Sequence, residues 1–211
     1  MANEVLRETI STVWGFQSLR PLQREAMEAF LQGRDSLVVL PTGGGKSLCY
    51  QAPAVALGGT TVVVSPLIAL MKDQVDSLRA CGIAACQLDS SQSAAERKQN
   101  LAELREGRIR LLYVSPEKLI GTDLPRLLRQ LGVRRFAIDE AHCISHWGHD
   151  FRPDYRMLGQ RLPALRPAPV IALTATATPQ VQEDILEQLG LPDAARFIHG
   201  FRRDNLAIEL S

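Results

Sequence analysis

The chain has 211 residues, of which 45% are hydrophobic and 22% are charged, and it contains no run of about 18 apolar residues. These values exclude an intrinsically disordered chain, a coiled coil and a membrane span. The 24 basic and 23 acidic residues give a formal charge of +1, so a nucleic-acid partner has to be held by local groups rather than by a global positive field. Four cysteines without a Cys-x-x-Cys pair, and an amino terminus without an apolar leader, predict a protein of the reducing cytoplasm.

Two helices are predicted before the first strand. Trp14 stands at helical spacing from two apolar residues upstream, which is typical of a core position. The second helix is predicted to open at Pro21 and to close at Gly33. We assign these helices to a first segment, residues 1–35.

Short apolar, β-branched runs alternate with amphipathic segments over residues 36–199. The runs are apolar at odd and even positions alike, which is typical of strands that are covered on both faces of a parallel sheet. The sequence therefore predicts an α/β fold with a doubly wound, mainly parallel sheet flanked by helices. Ser93 with Glu96 predicts a capping box, and Thr178 before Pro179 predicts the start of the last long helix. The predicted strands are SLVVL, TTVVVS, IRLLYVS, RRFAID and PVIALTA.

The first predicted strand runs into a glycine-rich loop and then into a helix. Three consecutive glycines allow backbone N–H groups to converge on phosphate oxygens, and the amino end of the helix adds its dipole. Lys46 can reach the β and γ phosphates of a nucleotide, and the Ser47 hydroxyl can bind Mg²⁺. Leu40 stands where the strict motif has its first glycine. The predicted phosphate loop consists of Pro41, Thr42, Gly43, Gly44, Gly45, Lys46 and Ser47.

Two adjacent acidic residues, Asp139 and Glu140, follow the apolar strand RRFAI. Because the carboxyl ends of parallel strands share one edge of the sheet, we expect both carboxylates to lie beside the phosphate loop. Asp139 is predicted to organise Mg²⁺, directly or through water, and Glu140 is predicted to be the base that orients the attacking water.

Several short segments after predicted strands complete a family pattern. They are SPL at 65–67, YVSPE at 113–117 and TATAT at 174–178. With the phosphate loop and the DEAH motif at 139–142, they resemble the second helicase superfamily. Two further blocks, at 15–23 and in the run CISHWGHDFRPDY at 143–155, are similar to those of RecQ-type DNA helicases. The resemblance spans essentially the whole chain, implies a RecA-like fold, and covers only the first of the two motor domains of such helicases.

The resemblance implies ATP as the nucleotide, because the upstream block binds adenine in relatives. Gln23 can form two hydrogen bonds to N6 and N7 of adenine, Phe16 can stack on the ring, and Arg20 lies nearby. Adenine is favoured over guanine because N6 donates where O6 accepts. Phe16 and Leu19 replace the Tyr and Phe common in the family, which keeps the stacking but removes a phenol. The implied catalytic residues are Lys46, Asp139, Glu140 and His142, of which His142 would couple the nucleotide site to the second motor domain.

The resemblance also implies a site for single-stranded DNA. Trp147, Phe151 and Tyr155 interleave with an arginine in the run at 143–155, and stacking on bases tolerates any sequence. In RecQ relatives this loop senses single-stranded DNA and triggers hydrolysis. Without the resemblance, Trp147 and Phe151 are more simply core residues. The predicted DNA-contacting or coupling residues are Ser65, Pro66, Ser115, Trp147, Phe151, Arg152, Thr174 and Thr176.

Three of the four histidines and one cysteine crowd residues 142–149. Their spacing is too tight for a closed zinc site unless the loop folds back. Since His142 already belongs to the DEAH motif, we assign Mg²⁺ to Ser47 and Asp139 and assign no zinc.

We interpret the chain as the motor domain of an ATP-dependent DNA helicase that acts in DNA repair and recombination. It would bind Mg-ATP and single-stranded or partly duplex DNA, and would couple hydrolysis to 3′-to-5′ translocation when joined to a second RecA-like domain. Residues 200–211 would be the linker towards that domain. We expect truncation of a longer enzyme, and weak or no activity of the fragment alone, because an arginine finger from a second domain is worth roughly 10³ to 10⁵ in rate.

Two other interpretations stay open on the sequence. One is a DEAH-type RNA helicase domain. Such a domain shares the phosphate loop and the DEAH motif, but it is not expected to contain both the adenine-binding block at 15–23 and the aromatic run at 143–155. The other is a non-catalytic nucleic-acid-binding module with a vestigial nucleotide site, against which the intact Lys46, Asp139 and Glu140 argue. The expected location is the cytoplasm, at the nucleoid in a bacterium.

Overall fold

The computed structural model describes residues 2–133 and 135–199, which form one α/β unit. The described strands are β1 (Ser36–Val39), β2 (Thr61–Val64), β3 (Ala85–Leu88), β4 (Leu111–Val114), β5 (Arg135–Ile138), β6 (Val170–Thr174) and β7 (Ala195–Ile198). The described helices are α1 (Ala2–Trp14), α2 (Gln23–Leu31), α3 (Leu48–Leu57), α4 (Ile68–Ala80), α5 (Ala94–Arg105), α6 (Pro116–Ile120), α7 (Leu124–Gln130), α8 (Pro153–Arg156), α9 (Leu158–Arg161) and α10 (Pro179–Leu189). Short 3₁₀ turns cover Ala141–Ile144 and Leu162–Leu165.

All seven described strands form one sheet in the order β3-β4-β2-β5-β6-β1-β7. Every neighbouring pair is parallel, and Val38 of β1 stands in register with Leu173 of β6 and Phe197 of β7. Strands β1 and β5 are separated only by β6, so the segments that follow them leave the same edge close together. The predicted doubly wound, parallel α/β fold is confirmed.

Two apolar cores cover the two faces of the sheet. In β1, Leu37 and Val39 belong to the core under α5 to α10, whereas Val38 belongs to the core under α1 to α4, as does Leu40 directly after the strand. Successive side chains of a strand point to opposite faces, so a strand with both faces covered needs apolar residues at every position. This geometry explains the apolar runs that predicted the strands.

The amino-terminal helices pack on the sheet rather than form a separate body. Ile10, Met27 and Phe30 are buried in the same core as Val38, and Trp14 packs at its margin. The second helix begins at Gln23, two residues later than predicted, because Leu22 adopts a left-handed backbone conformation with φ of 66°. The segment at 1–35 therefore shares its core with the sheet.

The predicted helix starts at Ser93 and Thr178 are confirmed, since Ser93 and Glu96 form a capping box and Thr178 accepts a hydrogen bond from the Val181 N–H.

Strands β3 and β7 were not predicted from the sequence. None of the described helices has the length and apolar character needed to cross a bilayer. The predicted linker at 200–211 lies outside the described residues.

Candidate functional site

The loop after β1 requires each of its three glycines for a separate reason. Gly43 and Gly45 have φ values of 75° and 73°, which side chains rarely tolerate. A Cβ atom at Gly44 would lie 2.7 Å from the Pro41 carbonyl oxygen, and one at Gly45 would lie 2.4 Å from Gln23 Nε2. The loop ends at the first turn of α3, where Lys46 and Ser47 are half-buried. The predicted phosphate loop thus has the tight backbone that anion binding requires.

Gln23 and Arg20 hold this loop from the amino-terminal side. Gln23 is buried, and its Nε2 donates to the carbonyl oxygens of Gly44 and Gly45 at 3.2 and 3.1 Å. Its Oε1 accepts from the Arg20 N–H at 2.7 Å, and the Arg20 guanidinium donates to the Gly43 carbonyl oxygen. The side-chain amide of Gln23 is therefore already hydrogen-bonded within the chain. To bind adenine, it has to break these bonds and form new ones with the base. The predicted stacking residue, Phe16, is 51% exposed.

The two predicted acidic residues, Asp139 and Glu140, follow β5 and lie in different environments. Asp139 is buried, and its burial, followed by the charge of Glu140, raises its pKa to about 6. Its Oδ1 accepts from the Glu140 N–H at 3.0 Å. Glu140 has a left-handed backbone with φ of 49°, a conformation that is rare for a residue with a side chain and common at functional sites. Its hydrogen bond with His142 holds the pKa of Glu140 below its usual value.

Lys46 lies in the electrostatic field of both acids. Its ammonium partly offsets the burial that raises the pKa of Asp139, and it adds to the His142 hydrogen bond that lowers the pKa of Glu140. A cavity of about 470 Å³ runs along this edge of the sheet. Its lining contains predicted nucleotide, catalytic and DNA-contacting residues together, namely Thr42, Pro66, Glu140, His142 and Thr176.

His142 connects the DEAH turn to the segment after β6. Its Nδ1 lies 2.9 Å from Thr174 Oγ1 and 3.3 Å from Glu140 Oε2, and the side chain is buried. The ring also stacks on His149, with the centroids 4.2 Å apart. His142 is therefore in contact with Glu140, with the TATAT segment and with the aromatic run.

The aromatic run separates into one exposed and two packed rings. Trp147 is 67% exposed, whereas Phe151 is half-buried and its ring centroid lies 3.8 Å from that of His146. Tyr155 is fully buried, and its hydroxyl donates to the carbonyl oxygens of Asp139 and Val64. Tyr155, the third aromatic residue of this run, therefore belongs to the core, and its hydroxyl connects two strand ends.

Arg152 is engaged within the chain. Its Nη1 donates to the Pro66 carbonyl oxygen at 3.0 Å, and its Nε and Nη2 donate to Asp150 Oδ2 at 3.2 and 3.0 Å. Arg152 thereby ties the aromatic run to the SPL segment after β2. A direct contact of this guanidinium with DNA requires that one of these bonds be released.

The predicted hydroxyl contacts differ in accessibility. Ser65, Ser115 and Thr174 are buried, and Ser65 Oγ has no hydrogen-bond partner among the described residues. Thr176 is exposed. Of these four hydroxyls, only that of Thr176 is presented to a strand lying over the sheet edge without a local rearrangement.

His149 and Asp150 were not predicted as site residues, although both line the cavity beside Glu140. Both residues belong to the run at 143–155, from which only Trp147, Phe151 and Arg152 were predicted to be site residues. Asp150 also belongs to a group that could hold a metal ion, because the ligand atoms of His142, Cys143 and Asp150 lie within 4.8 Å of one another. His146 does not join them. Asp150 is already paired with Arg152, so we assign no metal to this group.

The donors of the site fit a magnesium nucleotide. The glycine-rich turn offers backbone N–H groups, Lys46 offers a cation, and Ser47 and Asp139 offer the oxygen ligands that Mg²⁺ prefers. Mg²⁺, when bound, neutralises charge on the phosphates.

Comparisons with known proteins agree with this chemistry. The family model described as DEAD/DEAH box helicase matches residues 20–185. The chain is 49% identical to the ATP-dependent DNA helicase RecQ of Pasteurella multocida, over 96% of this chain and 32% of that protein. It is also 49% identical to the ATP-dependent DNA helicase Q5 of Rattus norvegicus, over 88% of this chain and 20% of that protein. The resemblance to RecQ-type helicases is confirmed.

A solved structure supports the fold. The Mycobacterium smegmatis helicase Lhr, bound to single-stranded DNA and AMP-PNP, matches 92% of this chain and 27% of its own, with a TM-score of 0.68 and 24% identity. The chain spans about a third of the length of the Pasteurella RecQ protein.

Proposed function

The chain belongs to the DEAD/DEAH box helicase family, and from that membership we propose that it is the nucleotide-binding motor domain of an ATP-dependent DNA helicase of the RecQ type. The observation that carries the proposal is a shared edge of the sheet: the loop with Lys46 follows β1, Asp139 and Glu140 follow β5, and only β6 separates these two strands. Phosphoryl transfer depends on positioning and electrostatic stabilisation more than on covalent chemistry. A glycine-rich loop, a cation and two carboxylates supply both.

In this proposal each group has a distinct task. The N–H groups of Gly43, Gly45 and Lys46 and the Lys46 ammonium hold the phosphates, while Ser47 and Asp139 hold Mg²⁺. Glu140 accepts a proton from the attacking water, and its low pKa keeps it ionised for that task at neutral pH. Thr42 completes the loop, and Phe16, Arg20 and Gln23 receive the adenine ring.

Single-stranded or partly duplex DNA is proposed to lie over the carboxyl edge of the sheet. The exposed ring of Trp147 offers a stacking surface there, and Thr176 offers a hydroxyl. Pro66 and Phe151 belong to the same edge, and the contacts of His142 and Arg152 give a route from this surface to Glu140. Translocation, with the 3′-to-5′ direction implied by the family, requires a second RecA-like domain. With DNA as the partner, the proposed location is the cytoplasm, at the nucleoid if the source is a bacterium.

The test is reconstitution of hydrolysis. The chain joined to a second RecA-like domain is expected to hydrolyse ATP when single-stranded DNA is added, and Lys46→Ala and Glu140→Gln are each expected to abolish turnover. An equal concentration of RNA is expected to stimulate less, which separates DNA from RNA as the substrate class. Persistence of turnover in both variants contradicts the catalytic assignment and favours a binding module.

A further inference from the structure

A cavity between α5, α6 and α7 lies apart from the proposed nucleotide and DNA sites. Leu88 of β3, an edge strand of the sheet, lies in its wall, whereas the phosphate loop and the DEAH turn follow β1 and β5. Its volume is about 300 Å³, at the lower end of the ~300 to 1,000 Å³ of ligand pockets. The cavity is therefore suited to one large side chain of a partner rather than to a whole helix.

The floor of this cavity is apolar. It consists of Leu88 from β3, Leu101 from α5, and Leu124 and Leu127 from α7. Leu88 and Leu124 are buried, whereas Leu101 and Leu127 are only half-buried although they pack against the core. Partly exposed apolar side chains in a concave surface are typical of binding sites. The leucine floor therefore favours an apolar side chain as the group that enters.

Three cationic side chains form a rim around the leucines. Arg97 and Arg105 are exposed on α5, and Lys118 is half-buried on α6. None of these three cations forms an ion pair within the described part of the chain. Arginine binds a carboxylate through two parallel hydrogen bonds. The rim is therefore complementary to an acidic partner.

Two carboxylates also line the cavity, so three cations against two acids leave one net positive charge. Asp123 is exposed, whereas Asp89 is buried and its Oδ1 accepts from the N–H and the hydroxyl of Ser91 at 2.7 and 2.5 Å. Asp89 Oδ2 has no hydrogen-bond partner among the described residues. Since a buried oxygen without a donor is costly, the wall has an unused acceptor for an N–H group.

We propose that this cavity is a docking site for an acidic peptide segment of a partner protein, which inserts one large apolar side chain between the leucines. The carboxylates of the segment pair with the cations of the rim, and one of its backbone N–H groups donates to Asp89. Each of the three chemical features of the cavity then has a counterpart in the same short segment.

Single-stranded DNA fits the cavity less well than such a peptide. Bases bind without sequence preference by stacking on aromatic side chains, and none of the side chains that the described residues contribute to the cavity is aromatic. A phosphate group has no donor for the free oxygen of Asp89, whereas every peptide bond other than one to proline has an N–H. The cavity therefore favours a protein partner.

Fluorescence anisotropy of the 211-residue chain with a labelled peptide, Asp-Glu-Phe-Glu-Asp, tests the docking site. Two matched peptides separate its features: Asp-Glu-Ser-Glu-Asp lacks the apolar side chain, and Asn-Gln-Phe-Gln-Asn lacks the charges. The first peptide is expected to bind saturably below about 1 mM, and each matched peptide at least about tenfold more weakly. Absence of saturable binding overturns the inference, as do equal affinities of the three peptides.

Arg97→Glu and Lys98→Glu locate the bound peptide. Both residues are exposed on α5 and both substitutions change the charge equally, but only Arg97 lines the cavity. Arg97→Glu is expected to weaken binding of Asp-Glu-Phe-Glu-Asp at least about fivefold, and Lys98→Glu less than about twofold. Thermal melts of both variants should match that of the wild type, because the two side chains are exposed. Equal affinities of the two variants overturn the inference.

A floor variant and a competitor complete the test. Leu101→Ala is expected to weaken the phenylalanine peptide and to leave the serine peptide unchanged, because only the former reaches the leucines. Equal effects on both peptides overturn the inference. An excess of oligothymidine is expected to leave the phenylalanine peptide bound. Its displacement would assign the cavity to nucleic acid and overturn the proposal of a protein partner.

Discussion

The Nδ1 atom of His142 lies 2.9 Å from the hydroxyl oxygen of Thr174, 32 residues further along the chain. Both side chains are buried, and the same Nδ1 is 3.3 Å from Glu140 Oε2. The bond joins the turn after β5 to the end of β6, so a movement of one segment is transmitted to the other.

Replacing Thr174 by Val removes this hydroxyl and keeps the shape of the side chain. The buried His142 and the Thr176 backbone then each lose a partner, and the free energy of unfolding is expected to fall by about 1 to 2 kcal/mol. Urea unfolding measures this loss. Thr176→Val, at an exposed threonine of the same segment, is the control and should change stability by less than about 0.5 kcal/mol. Equal losses in both variants would show that the bonds of the buried Thr174 hydroxyl add no stability.

Asp139→Asn is expected to stabilise the protein measured without nucleotide or Mg²⁺. Burial raises the pKa of Asp139 to about 6, so the ionised carboxylate opposes folding at neutral pH. The difference from the usual value near 3.8 corresponds to about 3 kcal/mol. Asparagine keeps the oxygen that accepts from the Glu140 N–H and carries no charge.

The pH dependence gives the sign of this effect. Below pH 4 the carboxyl is protonated in both the folded and the unfolded state, and the variant should have little advantage. Between about pH 4 and pH 6 only the unfolded state releases the proton, so the unfolding free energy of the wild type falls relative to that of Asp139→Asn. Thermal melts at pH 4 and pH 7.5 measure the two limits, and an advantage that does not grow with pH contradicts the assignment.

Gln23→Ala is expected to lower the preference for ATP over GTP and to loosen the phosphate loop. The variant removes two hydrogen bonds to the carbonyl oxygens of Gly44 and Gly45, so stability should fall by about 1 to 3 kcal/mol. Competition binding with both nucleotides measures the preference. Gln17→Ala, at an exposed glutamine six residues upstream, is the control. If Gln23→Ala leaves the preference for ATP over GTP unchanged, the Gln23 amide only stabilises the phosphate loop and does not recognise adenine.

Trp147→Ala is expected to weaken binding of single-stranded DNA without lowering stability. One lost stacking contact is worth about 1 to 3 kcal/mol, and the ring is 67% exposed. Fluorescence anisotropy with a labelled oligothymidine measures the affinity. Trp14→Ala, at the other tryptophan of the chain, should instead destabilise the fold, because this ring packs against the core. Wild-type DNA affinity in Trp147→Ala would remove this ring from the DNA surface.

The sheet was largely predictable because β1, β2, β4, β5 and β6 each contain at least three consecutive apolar residues. The two missed strands lack that signal. Ala85–Leu88 contains no β-branched residue, and Ala195–Ile198 is an edge strand that is only partly buried. Both are strands because a parallel neighbour pairs with them, which local sequence does not record.

The sequence predicted those parts of the site whose positions follow from the strand topology alone. The rule that parallel strands share a carboxyl edge was sufficient to bring Lys46 towards Asp139 and Glu140. Contacts between distant segments were not predictable: Arg152 donates to Pro66, 86 residues away, and Tyr155 donates to Val64, 91 residues away. An aromatic residue in a polar run can stack on a base or fill a core, and only packing distinguishes Trp147 from Tyr155.

The central claim is that Lys46 and the acids after β5 form one site for Mg-ATP. Titration calorimetry of the 211-residue chain with a non-hydrolysable ATP analogue and Mg²⁺ tests it most directly. We expect saturable binding, and we expect Lys46→Ala to weaken it at least about tenfold. The control Lys72→Ala, at a lysine exposed on α4, should bind the analogue as the wild type does. Equal affinity in wild type and Lys46→Ala would contradict it.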